Sequence, residues 1–167
     1  KIIGYDPFVN KEILNKDEIE IVDLDFLISK SDYISLHVPL NDNTKNLFNL
    51  ERLKLMKSTA RIINVARGGI INEEDLSKAL RDSEIAGAAI DVFMVEPINA
   101  EHPLIGAPNI LLSPHLGAST SEAKEGVSRS ICEQVRDYLL NEKLVNAVNM
   151  PISDLSKLNK IKPFLNL

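Results

Sequence analysis

The chain has 167 residues, 44% hydrophobic and 26% charged, with a formal net charge of -5. That is an ordinary globular composition on a length sufficient for one domain with its own core. A pI near 5.2 argues against nucleic acid or an anionic membrane as the main partner. No stretch approaches the roughly 18 consecutive apolar residues of a membrane span. The single cysteine, Cys132, cannot form an internal disulfide, which fits a reducing, cytoplasmic setting.

The first residues, Lys1-Ile2-Ile3-Gly4-Tyr5-Asp6-Pro7, read as a strand with no lead-in. The last, from Pro163 to Leu167, stop inside an amphipathic pattern with no helix-stop signal. Both ends read as cut. Between them, short apolar runs alternate with helical patterns, the signature of a parallel α/β sheet with helices on its faces. The spacing predicts strands over Lys1–Asp6, Asp32–Val38, Arg61–Ala66, Gly87–Val92 and Asn109–Ser113. Short helices are expected over Leu24–Ser29 and Leu50–Met56. A better-marked helix covers Asn72–Arg81, where Asn72 can cap and Glu73, Glu74 and Asp75 favour the positive helix end. A long helix is expected over Ser119–Asn141, opened by a Ser119-Thr120-Ser121-Glu122 capping box. Val127, Ile131, Val135 and Leu139 form its apolar stripe. Val145–Pro151 reads as extended.

Four places carry candidate chemistry, each past the end of an expected strand, where ligands of open α/β sheets bind. Asp6 could accept from ribose hydroxyls and repel a 2′-phosphate, although an Asp before Pro is also an ordinary turn. In Asn64-Val65-Ala66-Arg67-Gly68-Gly69, the Arg67 fork suits a carboxylate, and the glycines permit close backbone approach. Asp91 and Glu96 leave the fourth strand. His115, in Pro114-His115-Leu116-Gly117-Ala118, leaves the fifth. Alone, Arg67 could sit on a surface turn, the two acids could be solvated, and a lone His is commonly structural. Together, an arginine, an acid and a histidine past three strand ends can bind a 2-hydroxy or 2-keto carboxylate and move a proton at its oxygen. A carboxylate beside an imidazole fixes its tautomer and favours its charged form.

The series GYDP, SLHVPL with Thr44, NVARGG, AIDVFMVEP and SPHLGAST closely resembles the D-2-hydroxyacid dehydrogenases. The HLGAST form after the histidine and the NAVNMP segment resemble the branch that oxidises D-3-phosphoglycerate, opening the phosphorylated route to L-serine. Glu96 speaks against the formate dehydrogenases of the same fold, which pair the histidine with glutamine. The resemblance implies a Rossmann-like parallel sheet with flanking helices, incomplete here, and a long C-terminal helix returning to a missing substrate domain. It implies that residues 1–118 are the C-terminal part of an NAD-binding domain. Residues 119–150 would belong to the substrate domain, and 151–167 would begin a C-terminal extension.

By the same resemblance, Arg67 holds the substrate carboxylate, His115 is the general acid/base, and Glu96 orients it. Asp6 binds the adenosine ribose of NAD. His37, Val38, Pro39 and Thr44 line the cofactor cleft. Val65, Ala66, Arg67, Asp91, His115 and Gly117 lie toward the nicotinamide end. The expected partner is a phosphorylated 2-hydroxy acid, with a homo-oligomer in the full-length protein and no nucleic acid, membrane or metal. His102 matches no family motif and reads as a loop histidine. Cys132 reads as a packing residue. The glycine-rich pyrophosphate loop would precede Lys1, so this chain alone is expected to bind NAD weakly and turn over little. With the partner domain cut away, the stripe of the long helix is expected to be exposed. Two other readings use the same motifs: a hydroxypyruvate, glyoxylate or D-lactate enzyme, and an NAD-sensing corepressor that borrows the fold.

Overall fold

A computed structural model describes residues 1–9, 19–117 and 119–141, together with 143, 145 and 146. The chain divides into two units, Lys1–Gly117 and Ala118–Leu167.

In the first unit, β1 (Ile2–Gly4) pairs in parallel with β2 (Ile19–Ile21). A second, four-stranded parallel sheet runs in the order β3 (Tyr33–Leu36), β4 (Arg61–Asn64), β5 (Gly87–Ile90), β6 (Ile110–Leu112). Its register pairs Leu36 with Asn64, Asn64 with Ile90, and Ile90 with Leu112. The C-terminal ends of β3 to β6 therefore finish level, at one edge. β2 was not expected, because Ile19-Glu20-Ile21 is too short for its alternation to register. The other strands are shorter than predicted. In β4 the ladder stops at Asn64, whose side chain turns to holding the loop that follows.

Helices α1 (Leu24–Lys30), α2 (Leu50–Leu55) and α3 (Glu73–Arg81) begin on side-chain caps. Asp23, Asn49 and Asn72 accept from the amides of Phe26, Arg52 and Asp75. Asp75 also accepts from the Leu50 amide at 2.9 Å, tying α3 to the start of α2. Ile28, Leu53, Leu76, Ala79 and Leu80 of these helices join Ile34, Leu36, Ile62 and Ile90 of the sheet in one buried cluster. Complete burial of a side chain such as Ile62 contributes about 1.5–3 kcal/mol. The alternate strand residues Tyr33, Arg61 and Leu111 are exposed, so these helices gather on one face.

In the second unit, α4 spans Ser121–Asn141. Thr120, not Ser119, supplies the capping hydroxyl, accepting from the Ala123 amide at 3.1 Å. The start moves two residues because a run of three hydroxyl residues offers alternative caps, and Thr120 takes the bond. None of the helix is buried, and Val127, Ile131, Val135 and Leu139 are exposed as expected. Cys132, expected to pack, is exposed as well. Most of Val145–Pro151 and all of 161–167 lie outside the described residues.

Candidate active site

The loop after β4 is shaped by one buried polar side chain. Asn64 is 2% exposed; its Oδ1 accepts from the Ala66 amide at 3.1 Å and its Nδ2 donates to the Arg67 carbonyl at 2.9 Å. These bonds close the turn that carries Arg67 out beyond the sheet edge. Arg67 is exposed, and its Nη1 donates to the Ala66 carbonyl at 2.6 Å. Most of its donors remain for a carboxylate. Gly68 then packs directly on the loop after β5: a Cβ there would lie 1.9 Å from the Phe93 carbonyl oxygen. Only glycine permits that approach, and it brings the arginine loop against the loop carrying Glu96.

The loop after β6 is held by Asp91, which is 5% exposed at the end of β5. Asp91 Oδ1 accepts from Ser113 Oγ at 2.6 Å and from the Leu116 amide at 2.8 Å; Oδ2 accepts from the Gly117 amide at 3.0 Å. His115 sits between these anchors with φ +56°, a left-handed conformation that costs a residue bearing a Cβ about 1–2 kcal/mol. Backbone strain held by a buried carboxylate is a common mark of a functional site. Burial pushes the Asp91 carboxyl upward, but hydrogen bonds from Ser113, Leu116 and Gly117 outweigh it and hold the group below its ordinary 3.8. Asp91 was expected to approach a cofactor. Its described contacts make it the clamp of the histidine loop.

Glu96 and His115 meet across this edge. Glu96 Oε2 lies 2.8 Å from His115 Nδ1, and Glu96 Oε1 accepts from the Phe93 amide at 2.9 Å. The bond from His115 first, then that from Phe93, hold the Glu96 carboxyl below its ordinary 4.5 against the opposing effect of burial. Glu96 is thus an acceptor only at neutral pH, and the proton on the shared bond belongs to Nδ1. Nε2 is left as the nitrogen able to take a proton from a ligand. Both side chains are part-exposed, at 35% and 48%, beside an open cleft that includes Phe93, Ile98, Leu112 and Pro114.

These two lowered carboxyls set an acid limit on stability. A carboxyl depressed in the fold contributes stability that is present above its unfolded value and lost as pH falls through the folded one. Urea midpoints are expected to be level near neutrality and to fall below about pH 4.5, the ordinary value for Glu96. D91N is expected to have a lower midpoint at pH 7 and a shallower acid slope. An equal acid slope in D91N would show that Asp91 is not part of this linkage.

Of the remaining expected residues, Asp6 follows β1 of the two-stranded sheet, and the others follow strands of the four-stranded one. Asp6 Oδ1 accepts from the Phe8 amide at 2.8 Å, so the turn reading of Asp6 is realised, and one carboxylate oxygen makes that turn. No Lys or Arg lies among residues 5–9 to welcome a 2′-phosphate. His37 Nε2 bonds Ser35 Oγ at 2.8 Å. The Thr44 hydroxyl donates to the Pro39 carbonyl at 2.6 Å and accepts from the Asn41 amide at 2.8 Å. It closes its own loop, with Val38 part-buried at its base. Val65 is 48% exposed at the end of β4. His102 lies in a loop, as expected, and its ring is largely buried against Glu73. Asn64 and Ser113 were not anticipated as site residues. The signals for them were positional: Asn64 is an amide inside the apolar run Ile62 to Ala66, and Asn64 and Ser113 open the NVARGG and SPHLGAST motifs.

A family model described as the D-isomer specific 2-hydroxyacid dehydrogenase NAD-binding domain matches residues 1–117. The chain belongs to this family. The part carrying all the site residues above is thus the family's NAD-binding domain, and NAD is its cofactor. The D-3-phosphoglycerate dehydrogenase of Synechocystis sp. is 46% identical over 167 residues, all of this chain and 30% of that protein. A glyoxylate reductase of Thermofilum pendens is 42% identical over 144 residues, 86% of this chain and 42% of that protein. Among solved structures, the NAD-complexed D-isomer specific 2-hydroxyacid dehydrogenase of Lactobacillus delbrueckii ssp. bulgaricus superposes with TM-score 0.73 at 28% identity. It matches 89% of this chain and 49% of that one. The chain thus spans less than half the length of these curated relatives. Among the described residues no helix is long and apolar enough to cross a membrane.

Proposed function

We propose that the intact protein oxidises D-3-phosphoglycerate with NAD, and that Arg67, Glu96 and His115 are its catalytic groups. The observation that carries this reading is the Glu96–His115 bond of 2.8 Å at the end of a parallel sheet, in a chain 46% identical to a D-3-phosphoglycerate dehydrogenase. Arg67 grips the substrate carboxylate with donors not spent on Ala66 and polarises the C2 oxygen. His115 Nε2 takes the proton of the C2 hydroxyl as the C2–H bond breaks. Glu96 holds the ring in the tautomer that leaves Nε2 bare and stabilises the imidazolium that results. NAD supplies the acceptor for the hydride. The sum is a 2-hydroxy acid and NAD+ giving a 2-keto acid, NADH and a proton.

The cofactor side is met by Asp6 for the adenosine ribose, with the loops of His37 to Thr44, Val65 to Arg67 and Asp91 to Gly117 along the sheet edge. Residues 1–118 form part of the nucleotide-binding domain in this reading, 119–150 rejoin the substrate domain, and 151–167 begin an extension. The protein works in the cytoplasm as a homo-oligomer on a phosphorylated 2-hydroxy acid, opening a route to L-serine, without nucleic acid.

The glyoxylate reductase likeness favours a second reading, in which the same three residues reduce a small unphosphorylated 2-keto acid. Steady-state assays of the intact protein separate the two. The expected kcat/KM for D-3-phosphoglycerate exceeds those for D-lactate, glycolate and glyoxylate by at least about 100-fold, the selectivity that lost phosphate contacts can impose. Preference for an unphosphorylated acid overturns the substrate assignment. NAD-dependent partner binding without dehydrogenase activity overturns the enzyme reading altogether.

A further inference from the structure

A second carboxylate–imidazole pair stands behind the first. Glu73, the first residue of α3, is 17% exposed and His102 is 11% exposed, with His102 Nε2 3.0 Å from Glu73 Oε2. The Leu104 amide donates to His102 Nδ1 at 3.3 Å, so Nε2 carries the proton and donates to Glu73. The other oxygen, Glu73 Oε1, accepts from the Met94 amide at 2.7 Å. The His102 ring also meets Phe93 edge-on, with centroids 5.5 Å apart. Beneath it, Ser77 Oγ of α3 donates to the Pro103 carbonyl at 2.6 Å.

We infer that Glu73 and His102 are positioning residues for the Glu96–His115 pair, acting through the turn Phe93 to Glu96. The successive amides of Phe93 and Met94 are each held by a carboxylate, Phe93 by Glu96 and Met94 by Glu73. Glu73 is rooted in a helix with a packed core face and is itself locked by His102. It therefore fixes the backbone from which Glu96 reaches His115. Removing His102 leaves Glu73 free to swing into solvent, the Met94 amide loses its acceptor, and the turn that aims Glu96 loosens. A displacement of about 1 Å at a catalytic group can cost on the order of 100-fold in rate. The inference rests on the catalytic reading of Glu96 and His115.

The test uses the intact protein, D-3-phosphoglycerate and NAD. H102L and E73Q are each expected to lower kcat by roughly 10- to 100-fold, with both KM values within about twofold. H102Q, which keeps a donor at the Nε2 position, is expected to recover most of that loss. In an E96Q background, H102L is expected to add less than about a twofold loss, because residues acting as a unit are not additive. Thermal melts identify any variant that does not fold, and E73Q, which keeps the side chain's size but puts an amide NH2 where Glu73 accepts from His102 and so releases the lock, stands in for H102L in that event. Unchanged kcat in both H102L and E73Q overturns the inference, as does a loss that multiplies in full on E96Q. An E96Q enzyme as fast as the parent overturns instead the catalytic reading beneath it.

Discussion

H115N is expected to lower kcat of the intact protein by roughly 100- to 10,000-fold, the range for losing a positioned general acid/base, while leaving NADH affinity close to the parent value. Asparagine is the informative substitution here. It tolerates the left-handed backbone found at His115, φ +56°. Its side-chain amide can also replace Nδ1 in donating to Glu96, so the loop clamped by Asp91 keeps its shape. What it cannot supply is Nε2. The fall in rate then reports the missing base rather than a collapsed loop. Steady-state NADH formation gives kcat, and fluorescence titration with NADH gives affinity. H115A would confound the two effects, because it removes the bond to Glu96 as well as the base.

G68A is expected to have the largest effect on the fold of any substitution at this edge. The added Cβ would meet three backbone atoms: the Phe93 oxygen at 1.9 Å, the Phe93 carbonyl carbon at 2.0 Å and the Met94 nitrogen at 2.6 Å. No side chain can rotate away to make room, so the loops after β4 and β5 must separate. Forced overpacking of this kind costs about 1–3 kcal/mol, and a loss of that size lowers Tm by roughly 2–12 °C at about 2–4 °C per kcal/mol. The Phe93 amide is also the second anchor of Glu96. G68A therefore moves Arg67 away from the Glu96–His115 pair and is expected to reduce kcat/KM along with stability. Differential scanning calorimetry checks the first effect and NADH formation the second. A G68A protein with the parent Tm would mean that the two loops do not meet as described.

The parts of the fold that were legible in the sequence are those set by local chemistry. Asn72 followed by three acids is a helix start that needs nothing distant, and Asn72 does cap α3. Apolar runs such as Ile62-Ile63 declare a buried strand wherever they lie. The misses come from interactions that sequence spacing does not encode. His102 looked ordinary because its partner Glu73 is 29 residues away and already explained as a helix-start acid. Asp91 stood out, but its three donors come from a segment 22 to 26 residues later, so its part in holding the His115 loop emerged only in the folded chain. Asn64 was visible as an interruption in a strand, without any indication that both ends of its amide close the arginine loop. At the start of α4, three consecutive hydroxyl residues left the cap degenerate, and Thr120 took it.

The most direct test of the acid–base assignment isolates the chemical step. A single turnover of the intact protein, in excess over D-3-phosphoglycerate with saturating NAD, removes product release from the observed rate. The parent is expected to form NADH in a fast exponential phase, and H115N is expected to be slower by at least about 100-fold, the lower bound for loss of the base. Equal single-turnover rates for parent and H115N would contradict the assignment of His115 as the residue that takes the C2 hydroxyl proton.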